Sequence, residues 1–108
     1  MASRRQIQVS EMIMQLAGVF FARESNGESL ITVTRADVSP DLRNVKIYLS
    51  VLPEKFEKPA LAFAKRNRTE FRDYIKDHAR MQYLPTIDFE IDFGEKNRQL
   101  IDDLTRKS

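Results

Sequence analysis

Hydrophobic and polar residues alternate most cleanly between Leu30 and Leu52. Ile31 and Val33 alternate with Thr32 and Thr34, and Val45, Ile47, Leu49 and Val51 alternate with Lys46, Tyr48 and Ser50. This period of two predicts two strands, each with one apolar face. Ser39-Pro40-Asp41 supplies the turn between them, because proline fixes φ and serine and aspartate bond nearby backbone. Upstream, Val9, Ile13, Leu16 and Phe20 recur at helical spacing and predict a helix from about Arg4 to Arg23. Gly18 weakens that helix unless a small residue serves close packing there. Ser25-Asn26-Gly27 breaks the chain.

Downstream of the strands, Pro53 and Pro59 bracket a connection. A helical region then runs from about Pro59 to Arg80 in two pieces, with Leu61 and Ala64 lining the first and Phe71, Tyr74, Ile75 and His78 the second. Between them, Lys65-Arg66-Asn67-Arg68-Thr69 puts nothing apolar where the stripe needs it, which predicts a break; Asn67 or Thr69 suits an N-cap for the second piece. After Pro85, Ile87, Phe89, Ile91 and Phe93 alternate with Asp88, Glu90 and Asp92, predicting a third strand that ends at Gly94. Leu100, Ile101 and Leu104 suffice for a short terminal helix. The expected fold is α+β in the order αββααβ, one domain over residues 1–108, with helices on one face of a three-stranded sheet. Lys46, Tyr48, Asp88, Glu90 and Asp92 would face water on the other.

Composition narrows the classes. A chain of 108 residues, 42% hydrophobic and 31% charged, fits a single soluble domain with a modest core and surface binding sites. It has no cysteine, which removes disulfides and thiolate ligands and is compatible with the cytoplasm. No apolar run approaches the roughly 20 residues of a membrane span, and polar residues interrupt the N-terminus too early for a secretory signal. A monomer is expected. Net charge is only +2, but it is segregated: Lys65, Arg66, Arg68, Arg72, Lys76 and Arg80 precede Asp88, Glu90, Asp92 and Glu95.

Catalytic chemistry finds little support. His78 is the one histidine and lies on an apolar stripe, where a core-edge role is the simpler reading. It has no cysteine or second histidine with which to share a metal. Asp88, Glu90 and Asp92 read as a charged strand face that discourages edge pairing. The three glycines form no phosphate-cradling loop. No catalytic set, metal site or cofactor is expected. The basic stretch is the better candidate. Arg68, Arg72, Lys76 and Arg80 step by four along one helix side, with Lys65, Arg66 and Asn67 at the break and Arg4 and Arg5 as a second patch. Such a line suits phosphate contact, which gives affinity without reading sequence. A solvated face balanced by Glu70, Asp73 and Asp77 is the plainer alternative. A further alternative is a protein-interaction module docking through the Phe20/Phe21 helix or the acidic sheet face.

The strand pair also carries a resemblance. Thr32-Val33-Thr34, then Val38-Ser39, Asp41-Leu42 and Val45-Lys46-Ile47-Tyr48-Leu49-Ser50-Val51, resembles the signature of the ribosome-binding factor A family. Val9-x-Glu11-x-Ile13, Tyr83-Leu84-Pro85-Thr86-Ile87-x-Phe89 and Ile101-Asp102-Asp103-Leu104 are similar to further motifs of that family, in the same order. The resemblance implies a KH-like fold of the second type, in which a helix–kink–helix with Ala-x-Gly replaces the G-x-x-G RNA clamp. Here the matching stretch is Asn67-Arg68-Thr69, without glycine, and Gln82 stands where an arginine is common. It further implies a cytoplasmic, non-catalytic factor that binds the immature small (30S) ribosomal subunit, touching 16S rRNA and neighbouring ribosomal proteins. Such a factor assists maturation of the 16S rRNA 5′ end and growth in the cold.

Overall fold

A computed structural model describes residues 2–24, 29–81 and 83–94. The expected terminal helix and the Ser25-Asn26-Gly27 break lie outside them. The elements are α1 (Arg4–Glu24), β1 (Leu30–Val38), β2 (Asn44–Leu52), a 3-10 turn (Glu54–Phe56), α2 (Glu57–Arg66), α3 (Arg68–His78) and β3 (Thr86–Ile91). The αββααβ order is as expected, in an α+β fold. Strand order is β1-β2-β3, so β2 is central. It pairs antiparallel with β1 and parallel with β3, and the parallel pairing requires the crossover that α2 and α3 supply.

The sheet buries one face. Val45, Ile47, Leu49 and Val51 of β2 and Ile87, Phe89 and Ile91 of β3 all point into the core. β1 would not follow suit by simple alternation: continuing inward from Ile31 and Val33 would bury Arg35 and Asp37. A bulge at Thr34 changes the phase. Val33 lies opposite Leu49 and Arg35 opposite Tyr48, so Ala36 is buried and Arg35 and Asp37 face out. The β1–β2 turn closes through its side chains. The Ser39 hydroxyl donates to Asp41 Oδ1 (2.6 Å), which also accepts the Arg43 amide (3.1 Å), and Ser39 Oγ accepts the Asn44 amide (3.0 Å). Leu42 takes a left-handed φ of 62°, unusual for a side chain of its size.

The third strand departs from expectation at its end. It stops at Ile91, and Phe93 and Gly94 are already helical. In–out alternation holds only while the chain stays extended. Phe93 is therefore 63% exposed instead of packed, and Asp92 is 8% exposed instead of solvated. The Thr34 hydroxyl at the bulge reaches the Asp92 carboxylate at 2.6 Å, across the central strand.

Helix α1 opens with a reciprocal cap. The Gln6 amide N–H donates to Ser3 Oγ (3.1 Å) and the Ser3 N–H donates to Gln6 Oε1 (2.8 Å). Gln6 Nε2 then donates to the Val38 carbonyl (2.9 Å), and the Ser10 hydroxyl donates to the Ala36 carbonyl. Four helical residues advance about 6 Å and two strand residues about 6.6 Å, so α1 meets successive outward carbonyls of β1 and covers that stretch of edge. Val9, Ile13, Ala17, Phe20 and Phe21 are buried beneath it, while Leu16 is only partly so. Phe20 and Phe21 pack with Phe71, at 5.2 and 6.1 Å between ring centroids, and Phe21 meets Phe89 at 5.4 Å. Docking a partner through Phe20 and Phe21 is therefore set aside: both are core. Gly18 is exposed, and a Cβ there would meet nothing within 4 Å, so close packing does not explain it.

Helix α3 ends at His78, two residues short of the expected Arg80, because Ala79 turns extended (φ −141°, ψ 145°). His78 is exposed, not at the core edge, and its ring stacks on Tyr74 at 3.9 Å.

Candidate nucleic-acid interface

Helices α2 and α3 meet at Asn67, within the interval where the apolar stripe fails. Asn67 sits at φ −96° and ψ 14°. This is open to any L-residue, so the kink makes no demand for glycine at that position. The Asn67 amide donates to the Phe63 and Ala64 carbonyls (3.1 and 3.2 Å), and its carbonyl accepts the Phe71 amide (2.9 Å). Its side-chain Nδ2 donates to the Phe63 carbonyl at 2.8 Å. Asn67 thus stands at the expected N-cap position of α3, but its side chain closes the end of α2 and makes no capping bond to α3.

The line of cations does not stay on one exposed side. Steps of four residues rotate about 40° around a helix, so the ridge turns from the core edge towards solvent. Arg68, at the start, is half-buried, and its Nη2 donates to Asp88 Oδ1 of β3 at 3.0 Å. Arg72 is half-buried too, and its Nε donates to the Pro85 carbonyl at 3.1 Å. Lys76 is exposed. Arg80 lies beyond the helix and is exposed. Two of the four cations thus tie α3 to the entry of β3. Glu70, Asp73 and Asp77 are also exposed on α3 and offset its charge. Arg68 and Arg72 are therefore not free cations on an exposed helix side: one pairs with Asp88 and the other bonds to the Pro85 carbonyl.

Cationic exposure concentrates at the break instead. Lys65 and Arg66 project from the last turn of α2, where positive charge is favourable to the helix dipole. Lys65 Nζ lies 3.9 Å from Asp88 Oδ1. The pairs of Asp88 with Arg68 and Lys65 are partly solvated, with side chains 40–46% exposed, and contribute of order 1 kcal/mol or less each. Arg68 Nε is buried without a hydrogen-bond partner. Arg4 and Arg5 are exposed in the first turn of α1, which carries no acidic residue. There the dipole disfavours cations.

The outer sheet face offers little to a polyanion. Lys46 pairs with Glu90 at 3.4 Å, and Arg35 lies 3.7 Å from Asp37 and 4.0 Å over the Tyr48 ring. The hydrogen bond to Tyr48 and the charge of Asp37 raise the Arg35 pKa further above its ordinary value. A shallow groove of about 470 Å³ runs from Asp37 and Ser39 past Asn44 to Thr86 and Asp88, beside the helix break. Among the described residues no cluster could hold a metal ion, and no helix is long and apolar enough to cross a membrane. Sequence reasoning missed Asp88 as the partner of Arg68, since twenty residues separate them. It also missed the Ser3/Gln6 cap, although S-x-x-Q is a readable signal.

The family profile described as ribosome-binding factor A matches residues 5–105. The chain belongs to the ribosome-binding factor A family. Among relatives named ribosome-binding factor A, that of Pelagibacter ubique is 36% identical over 110 residues, spanning 92% of this chain and 88% of its own. That of Cytophaga hutchinsonii is 30% identical over 112 residues, spanning 99% and 84%. The crystal structure of ribosome-binding factor A from Thermus thermophilus superposes with a TM-score of 0.72 at 18% identity, over 80% of this chain and 94% of that one. A homology model of the Thermus thermophilus factor, fitted into a cryo-EM map of a complex with the 30S subunit, gives 0.67 at 20% identity, over 75% and 88%. At these identities the two structures speak for the fold of the family.

Proposed function

We propose that this chain binds the immature small ribosomal subunit in the cytoplasm and holds 16S rRNA in a conformation that favours subunit assembly and 5′-end maturation, without cutting RNA itself. A binding protein biases such an equilibrium only by its differential affinity for the two states. Membership of the ribosome-binding factor A family carries the reading, and the fitted 30S complex of the Thermus thermophilus relative supports it. In this reading Lys65, Arg66 and Asn67 at the break form the centre of the rRNA contact, Lys76 and Arg80 extend it, and Arg68 and Arg72 border it from the sheet side. Arg4 and Arg5 form a second patch. The paired charges of the outer sheet face and the burial of Phe20 and Phe21 weigh against a module that binds only protein.

The test is binding to purified immature small subunits across a salt series. Lys65→Ala/Arg66→Ala is a cleaner probe than any change at Arg68 or Arg72, because neither lysine nor arginine there anchors α3. Each lost phosphate contact should flatten the slope of log affinity against log salt by about one. An unaltered slope and affinity in the folded double variant would remove the break from the interface.

A further inference from the structure

One carboxylate oxygen serves both sides of the helix break. Asp88 Oδ1 accepts Arg68 Nη2 at 3.0 Å from the start of α3 and lies 3.9 Å from Lys65 Nζ at the end of α2. It also accepts the Phe89 amide at 2.9 Å, which fixes the carboxylate to the strand. A phosphate oxygen drawn to the break would seek the same two cations. A carboxylate and a phosphodiester each carry one negative charge, and the carboxylate is tethered in place. An RNA offering a single phosphate therefore exchanges one anion for another and gains little. An RNA shaped so that neighbouring phosphates also reach Arg66 and Lys76, both exposed, gains net contacts.

The Arg68 geometry fits such an exchange. Its contact with Asp88 uses Nη2, while Nε is buried with no partner. A guanidinium edge presents two parallel donors, which a carboxylate or a phosphate can each match with two oxygens; here Asp88 meets only one of them. The present arrangement leaves that match unmade. We propose that Asp88 is a specificity-determining residue: it screens Lys65 and Arg68 from polyanions at large and yields only to RNA whose phosphates engage the rest of the break. Discrimination built this way works by penalising the wrong partner. The inference rests on the rRNA contact proposed above.

Two isosteric substitutions test it. Asp88→Asn removes the charge but keeps an acceptor for the Phe89 amide. Glu90→Gln makes the same charge change two residues along the same strand, where the partner is Lys46 and not the break. Each is compared with the unaltered chain for affinity to polyuridylate and to purified immature small subunits, with folding checked by thermal unfolding. Asp88→Asn should bind polyuridylate about three- to fivefold more tightly, with a smaller change for subunits, so its preference for subunits falls. Glu90→Gln should leave that preference unchanged. An unaltered preference in Asp88→Asn, or an equal fall in Glu90→Gln, overturns the role of Asp88. Failure of the unaltered chain to bind subunits at all would instead defeat the proposed rRNA contact, and this role with it. Asp88→Ser repeats the comparison should the asparagine variant melt early.

Discussion

Single residues in this chain depart from what their type would suggest, and the departures can be measured. Gly18 lies in the interior of α1, exposed, with open space where a Cβ would be. Gly18→Ala should therefore raise stability by about 0.5–1 kcal/mol through the smaller entropy of the unfolded chain and better helix propensity; denaturant unfolding would read it directly. Asp41 gives a pH signature. Its hydrogen bond from Ser39 and the Arg43 amide hold its pKa below the ordinary 3.8. A depressed carboxyl pKa stabilises the fold fully above the unfolded value, and the contribution is lost as pH falls through the folded one. The β1–β2 turn should thus loosen only below the usual aspartate range, and Asp41→Asn should abolish that acid-dependent step in the Leu42 and Arg43 amide shifts. Leu42, at φ 62°, stands where glycine would be the easier choice, and nothing in its neighbours' identities announced this.

At the scale of elements, the sequence was legible where structure is local. Strand alternation, the helix stripe and the interrupted stripe at residues 65–69 all rest on spacing within one segment, and apart from the ends of α3 and β3 the elements stand where that spacing places them. What escaped was set by partners distant in the chain. The Thr34 bulge exists because Ala36, not Arg35, must face the core. Asp92 is drawn under cover by Thr34, 58 residues earlier. Arg68 and Arg72 look like free cations until β3 arrives beside them. Arg4 and Arg5 are a different case, since local physics alone disfavours them. Cations in a helix's first turn oppose its dipole, at about 0.3–1 kcal/mol each. Arg4→Glu/Arg5→Glu should accordingly stabilise α1 while weakening subunit binding. Opposite signs in a melting curve and a binding curve would mark the pair as kept for contact; a parallel loss of both would mark it as structural.

For the whole molecule, the arrangement of strands has a consequence in time. The β1–β2 hairpin closes over a short turn and gains α1 along its free edge, whereas β3 can join β2 only after α2 and α3 have crossed over. Pairings close in sequence pay little loop entropy before they are rewarded; the parallel one must wait. The hairpin with α1 is thus the natural nucleus, and the strand that carries Asp88 docks late. Val45→Ala in β2 should slow folding, whereas Ile87→Ala in β3 should chiefly hasten unfolding; stopped-flow chevrons of the two variants would separate these limbs. A strand that joins last also leaves most readily, so the groove-side wall of the helix break should be the first part of the sheet to exchange its amide hydrogens with solvent.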